Sequence, residues 1–104
     1  MCEFTVVRKS GSNTEKIGED VIFFQYDEKG QARFADILGR SKCDFSNGFV
    51  YEINMLENRH DITLVESEIV PYFVKLMQTI YSDHQDDKKK RAEDLIEAIK
   101  KHVL

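Results

Sequence analysis

The sequence predicts an α+β fold, with a small β-barrel-like domain of five to six antiparallel strands over residues 1–67 and a two-helix extension over residues 68–104. In the first two thirds of the chain, short segments rich in β-branched and aromatic residues recur at a spacing of roughly ten residues, with polar turns between them. In the last third, apolar residues recur with the period of an α-helix instead. A chain of 104 residues has the size of one domain, so we expect a single small core.

The strand segments are separated by polar or glycine-containing turns. Residues 9–14 are predicted to be a polar loop. The turn at 27–30 predicts a hairpin over residues 20–38, because Gly30 can adopt a positive φ. The pair Asn47-Gly48 suits a second tight hairpin. The spacing fits an SH3-like and an Sm-like barrel equally well. The predicted strands are residues 2–8, 20–26, 31–38, 49–55 and 61–66.

The two predicted helices each carry one apolar stripe. Ser67 is the expected N-cap of the first helix, and Pro71 lies near its start, where a helix tolerates proline. The second helix is expected to begin at about residue 86. Because each stripe needs an apolar partner, we expect the helices to pack against each other as a hairpin or on the barrel. The stripes are Phe73, Leu76, Met77 and Ile80 in the first helix, and Ala92, Leu95, Ile96, Ile99 and Val103 in the second.

Charge and composition limit the classes of partner. The net charge is −4, and residues 1–70 hold eight Lys and Arg against thirteen Asp and Glu. An acidic β region argues against generic nucleic-acid binding, for which a basic face supplies most of the affinity. No apolar run approaches the length of a membrane span. Two cysteines without an export signal favour free thiols and a cytoplasmic location.

Few residues suggest catalysis. The chain has no glycine-rich phosphate loop, no paired Cys-x-x-Cys and no nucleophile motif. Cys43 is interpreted as a structural thiol, and the basic run at 88–91 as a solvated helical face. The three histidines, His60, His84 and His102, are interpreted as solvated polar residues. Since no acid–base or nucleophile–base pair can be placed, we expect no enzyme activity.

Cys2 is the one candidate metal ligand. Methionine is usually removed before a residue as small as cysteine, so we expect Cys2 to carry a free α-amine beside its thiol. These groups have ordinary pKa values of about 8 and 8.5, and both lose their protons to a metal near neutral pH. If Met1 is retained, the donors become the Met1 amine, the Cys2 amide nitrogen and the Cys2 thiolate. Because a predicted strand begins here, the chelate is expected to be attached to a rigid element.

Several motifs of the β region follow the pattern of a known family. They are Met1-Cys2 opening a strand that ends in Val6-Val7, then Gly18-Glu19-Asp20-Val21, Asp36-Ile37-Leu38-Gly39, Gly48-Phe49-Val50-Tyr51-Glu52-Ile53-Asn54 and Ile62-Thr63-Leu64-Val65-Glu66. Through these motifs residues 1–67 resemble the CooT-like family of small nickel-binding proteins, which are also described as predicted RNA-binding proteins. Cys2 is the functional marker among them, and the other positions build the barrel.

The resemblance implies a homodimer in which Cys2 of both chains binds one nickel ion, and a role in delivering nickel to an enzyme such as carbon monoxide dehydrogenase or to its maturation proteins. Two thiolates and two nitrogens form a planar set that suits Ni(II) or Cu(II), whereas zinc prefers tetrahedral sites. The chain departs from the short family members in residues 68–104, which add a dimer interface or obstruct the usual one. The alternative function is an RNA-binding or protein-interaction module of small-barrel type. Phe23, Tyr26 and Phe34 on an outer face would favour RNA.

Overall fold

The computed structural model describes residues 3–45, 47–56, 58–81 and 85–104, and of residues 43–45, 85 and 86 it describes the backbone alone. These ranges contain seven strands and two C-terminal helices, which confirms the α+β class. The elements are β1 (Phe4–Ser10), β2 (Asn13–Val21), β3 (Phe23–Tyr26), β4 (Ala32–Ala35), β5 (Ser41–Phe45), β6 (Gly48–Asn54), β7 (Asp61–Glu66), α1 (Val70–Gln78) and α2 (Gln85–His102).

The strands form two sheets, with the orders β2-β1-β7-β6 and β3-β4-β5. The prediction of five to six antiparallel strands is wrong in two respects. There are seven strands in the described ranges, and β1 pairs with β7 in parallel, with Thr5 opposite Asp61. Parallel pairing requires a long connection, which the intervening strands supply here. Arg8 of β1 joins both neighbouring strands, since its guanidinium donates to Glu15 at 2.5 Å and to Glu66 at 2.7 Å.

The sequence prediction missed β2 and β5, because neither strand has the alternating or continuous apolar pattern on which the prediction depended. The predicted loop at 9–14 is a hairpin turn around Gly11, and the polar β2 follows it as an edge strand. β2 is stabilised by backbone pairing with β1, which places few demands on its exposed side chains. The predicted strand over residues 20–26 ends at Val21 and restarts at Phe23, where the chain passes from one sheet to the other.

The predicted hairpin at Asn47-Gly48 is wrong, because the strands on either side of this turn do not pair with each other. The strands that precede and follow Asn47-Gly48, β5 and β6, belong to different sheets, and Ser46 lies outside the described residues. β5 pairs with β4, and β6 pairs with β7. Asn-Gly favours a tight turn through local geometry, whereas the partners of β5 and β6 depend on contacts between residues that are distant in the chain. By contrast, the hairpin of β3 and β4 across residues 27–30 is confirmed, with Gly30 at a φ of 76°.

The hydrophobic core is shared by the two sheets. The four-stranded sheet contributes Val6, Val21, Ile62 and Leu64, and the three-stranded sheet contributes Ala32 and Phe34. The ring of Phe34 stacks on that of Phe24 at 5.2 Å. Tyr26 links the sheets further, because its hydroxyl accepts a hydrogen bond from the backbone N–H of Val50 at 2.9 Å.

The strand predicted over residues 31–38 stops at Ala35 because Asp36 forms a turn. Its Oδ1 accepts hydrogen bonds from the N–H groups of Leu38 and Arg40, both at 2.9 Å, and its Oδ2 accepts one from Arg40 Nε at 2.8 Å. Side-chain oxygens of aspartate commonly bind the backbone two residues on in this way. Ile37 and Leu38 therefore lie on the turn and are exposed.

Asp36 is expected to make stability depend on pH. Burial alone raises the pKa of its carboxyl, but the hydrogen bonds from Arg40 and Leu38 lower it more, so the pKa lies below the ordinary value. A carboxyl whose pKa is lower in the folded state stabilises the fold above its unfolded pKa of about 3.9, and this contribution is lost as the pH falls through the folded pKa. Urea unfolding of wild type and Asp36→Asn should show a stability difference that is largest above about pH 5 and shrinks on acidification. A difference that is constant with pH would contradict this assignment.

The first helix buries a different face from the predicted stripe. It begins at Val70 with Ile69 as the N-cap, two residues beyond the predicted N-cap Ser67. Its buried residues are Val70 and Val74, whereas the predicted stripe residues Phe73, Met77 and Ile80 are 38%, 45% and 64% exposed. The buried face is different because α1 packs against the β3–β4 turn. Pro71 lies against Gly30, and the Gln78 amide donates to the carbonyl of Asp27 at 2.9 Å.

The second helix packs on the first, and Arg91 donates to the carbonyl of Lys75 at 2.7 Å. Ala98 is its buried residue, whereas Ile96 and Val103 of the predicted stripe are 53% and 58% exposed. A small residue such as Ala98 permits close approach of two helices. The predicted stripe is therefore only partly on the contact face, because Ala92, Leu95 and Ile99 are partly buried and the buried Ala98 lies outside the stripe.

Candidate metal site at the start of the first strand

Cys2, the predicted metal ligand, lies outside the described residues, as does Met1. The first strand residue, Phe4, follows two positions later. β1 is an inner strand of its sheet, because β2 and β7 pair with it on either side. The strand that begins two residues after Cys2 is therefore hydrogen-bonded on both sides.

His60 lies directly beside the start of β1. Its backbone carbonyl accepts a hydrogen bond from the N–H of Thr5 at 2.8 Å, and its imidazole meets the ring of Phe4 edge-on, with the ring centroids 6.0 Å apart. The side chain is half-buried, and within the described ranges its ring nitrogens have no hydrogen-bond partner. The sequence interpretation of His60 as a solvated turn residue missed this position. No local pattern relates residues 4 and 60, because the parallel pairing of β1 with β7 brings them together.

The other flank of β1 is formed by the end of β2. Val21 pairs with Phe4, and the register is interrupted between Phe4 and Val6. Asp20 next to this irregularity has a φ of 61°, in the left-handed region that aspartate tolerates better than most residues. The start of β1 thus lies between Val21 on one side and His60 on the other.

The remaining candidates are distributed over the molecule. Cys43 lies in β5 of the other sheet, opposite Phe34, and His102 is the last residue of α2. His84 falls outside the described residues. Over the described ranges, which exclude Cys2, no group of three or more His, Cys, Asp and Glu side chains could hold a metal ion. The predicted basic run is partly engaged within the helices, because Lys90 pairs with Asp94 at 3.0 Å and Arg91 binds α1.

The helical extension begins at the end of the sheet opposite to the start of β1. β7 starts at Asp61 beside Thr5 and ends at Glu66, and α1 follows four residues later. Five steps along a strand at about 3.3 Å each separate these ends by about 16 Å. The first helix therefore begins beyond the end of β7 that lies far from the start of β1.

A second, apolar surface lies at that far end. An open groove of about 370 Å³ runs between α1 and the strands, and its lining contains no charged residue. Phe49 and Phe73 meet edge-on in it at 6.4 Å. The sequence analysis missed this groove because it assigned the α1 stripe to the core. The lining residues are Gln25, Tyr26, Phe49, Phe73, Val74, Met77, Gln78 and Tyr81.

In the described part of the chain, neither helix combines the length and the apolar character needed to cross a membrane. Comparison of the chain with protein-family models, with curated proteins and with solved structures gives no match. The resemblance of residues 1–67 to CooT-like proteins therefore depends on the sequence motifs themselves.

Proposed function

We propose that this protein binds Ni(II) through Cys2 in a homodimer in which two chains share the metal, and that it carries nickel for a metalloenzyme. The observation that carries the proposal is a cysteine two residues ahead of an inner strand. The resemblance to nickel-binding CooT-like proteins supports the choice of metal and the role. It also supports a cytoplasmic location and a nickel enzyme, or its maturation proteins, as partner.

The neighbourhood of the start of β1 fits a nickel ion chemically. A thiolate and nitrogen donors are the ligand types that Ni(II) accepts in planar sites. The half-buried imidazole of His60 is a further nitrogen donor of the right class. Arg59, the cation next to His60 in the sequence, is paired with Asp61 at 2.9 Å, which lowers its repulsion of a metal ion.

We further propose that the fold of the β region is barrel-like. The two sheets are separate in their hydrogen bonding, but they share one core and are bridged by Tyr26 and Val50. We interpret them as the two halves of a curled small barrel. No enzyme activity is expected of it.

Replacement of Cys2 by serine is expected to abolish nickel binding, because a hydroxyl is a far weaker ligand than a thiolate for this class of metal. Ni(II) is titrated into wild type and Cys2→Ser, and the thiolate-to-metal absorbance is followed. Wild type should saturate at one nickel per two chains. The matched control is Cys43→Ser, which removes the other thiol, in β5 of the second sheet. It should bind as wild type does. Equal binding by wild type and Cys2→Ser would refute the proposal.

The second candidate is a protein-interaction module, and one observation favours it. The groove beside α1 is aromatic, contains Met77 and is free of charge, as the cores of protein interfaces are. The RNA version has less support. Of the three aromatics that would favour it, Phe34 is buried and Tyr26 is half-buried, with its hydroxyl engaged by Val50, so that Phe23 alone is exposed. If Cys2→Ser binds nickel as wild type does, the protein-interaction module becomes the favoured function.

A further inference from the structure

We infer that the exposed apolar face of α1 is an interface on which a second copy of this chain docks by a two-fold contact. The contact requires no metal, so it goes beyond the nickel binding proposed above. The face combines one side chain of β6 with four from α1 and the turn that follows it. The α1 face consists of Phe49, Phe73, Met77, Ile80 and Tyr81.

The side chains of the α1 face form one continuous surface. Phe49 and Phe73 meet edge-on at 6.4 Å, and both line the groove together with Met77 and Tyr81. Met77 and Ile80 follow Phe73 at the spacing of a single helix face. The N–H of Ile80 donates to the carbonyl of Met77 at 3.1 Å, so the helical course continues past the end of α1. The five residues are between 37% and 79% exposed, and a contiguous apolar patch of this kind marks an interaction site.

The area of the α1 face matches what a stable dimer needs. The chain exposes 7314 Å² of surface, whereas a folded monomer of its mass typically exposes about 6,100 Å². A standard interface takes about 800 Å² from each partner, of which about 56–65% is apolar. At about 200 Å² for each large side chain, the exposed fractions of the five residues give roughly 500 Å². This is the apolar share of one standard interface.

The distribution of charge favours a second copy as the occupant. A net charge of −4 makes two copies repel each other where their charged surfaces meet. A two-fold contact places identical patches against each other, so a charge near its centre would meet its own like charge. In the part of the chain that the structure describes, the groove lining carries no charge, and two copies meet there without this repulsion. The same lack of charge gives a foreign protein no ion pair by which it would be selected.

The contact leaves the other end of the sheet uncovered. Phe49 pairs with Val65 near the end of β7, whereas Thr5, at the start of β1, pairs with Asp61 at the start of β7. Dimerisation through the α1 face can therefore be measured without nickel, and its failure would leave the nickel proposal unaffected.

Sedimentation velocity of the full-length chain in EDTA, over a series of protein concentrations, tests this interface. Wild type should sediment as a dimer. Met77→Lys places one charge in each half of the contact and should weaken dimerisation at least about tenfold. The matched control is Met55→Lys, which makes the same change at an exposed methionine just beyond the other end of β6. It should dimerise as wild type does.

Circular dichroism establishes that each variant is folded. A monomeric Met77→Lys beside a dimeric Met55→Lys supports the inference. Tyr81→Lys repeats the test at the most exposed position of the α1 face, where packing within the chain contributes least, and should also be monomeric. A wild-type chain that stays monomeric overturns the inference whatever the variants do, and the groove is then a site for a different protein. Dimers of Met77→Lys and Tyr81→Lys that are as tight as wild type overturn it too, since the chains then meet elsewhere.

Discussion

Phe34→Ala is expected to lower the free energy of unfolding by about 3–5 kcal/mol, the range for truncation of a buried aromatic residue. Phe34 is 1% exposed, stacks on Phe24 at 5.2 Å and lies in the core that the two sheets share. Its removal leaves a cavity that both sheets line, so neither can close it without moving relative to the other. A domain of this size has a total stability of about 5–15 kcal/mol, and the variant should be close to the unfolding threshold.

Urea unfolding followed by circular dichroism measures this effect. The matched control is Phe23→Ala, which truncates the same side chain at a position that is 49% exposed in the same hairpin. It should cost clearly less, since it removes less buried surface and leaves no enclosed cavity. Similar losses for the two variants would show that the shared core does not lie at Phe34.

Gly30→Ala is expected to destabilise the protein by about 2–5 kcal/mol, by two separate effects. Gly30 has a φ of 76°, where a side chain costs about 1–2 kcal/mol. A Cβ atom at this position would also approach the carbonyl oxygen of Pro71 to 2.5 Å and its Cα to 2.9 Å. Because these are backbone atoms, the start of α1 must move, at a cost of about 1–3 kcal/mol typical of overpacking.

The chain offers a control that separates the two effects. Gly11 has a φ of 61° in the β1–β2 turn, and no heavy atom lies within 4 Å of the Cβ that alanine would add there. Gly11→Ala should therefore show the conformational cost alone. Thermal unfolding of both variants gives the comparison, and equal losses of stability would mean that α1 is not held against the β3–β4 turn.

Cys2 and His60 differ in how far the sequence indicates a role for them. Cys2 was recognisable as a potential ligand from its position in the chain, since its chemistry is local. His60 was not, because its interest depends on contact with Phe4, which no spacing or periodicity encodes. The apolar groove was likewise invisible, since a helix with apolar residues on two faces gives no local indication of which face is covered.

The sequence by itself determined the α+β class, the β7 strand over residues 61–66, the β3–β4 hairpin and the existence of two C-terminal helices. These features follow from side-chain periodicity and turn preference, which act over a few neighbouring residues. The tertiary structure alone decided that the polar β2 is a strand, that β1 pairs in parallel with β7, and that α1 buries Val70 and Val74 rather than Phe73 and Met77. In each of these cases the free energy comes from partners distant in the chain, and the competing arrangements are equally compatible with the local pattern. The position of His60 beside the first strand is a consequence of that long-range pairing.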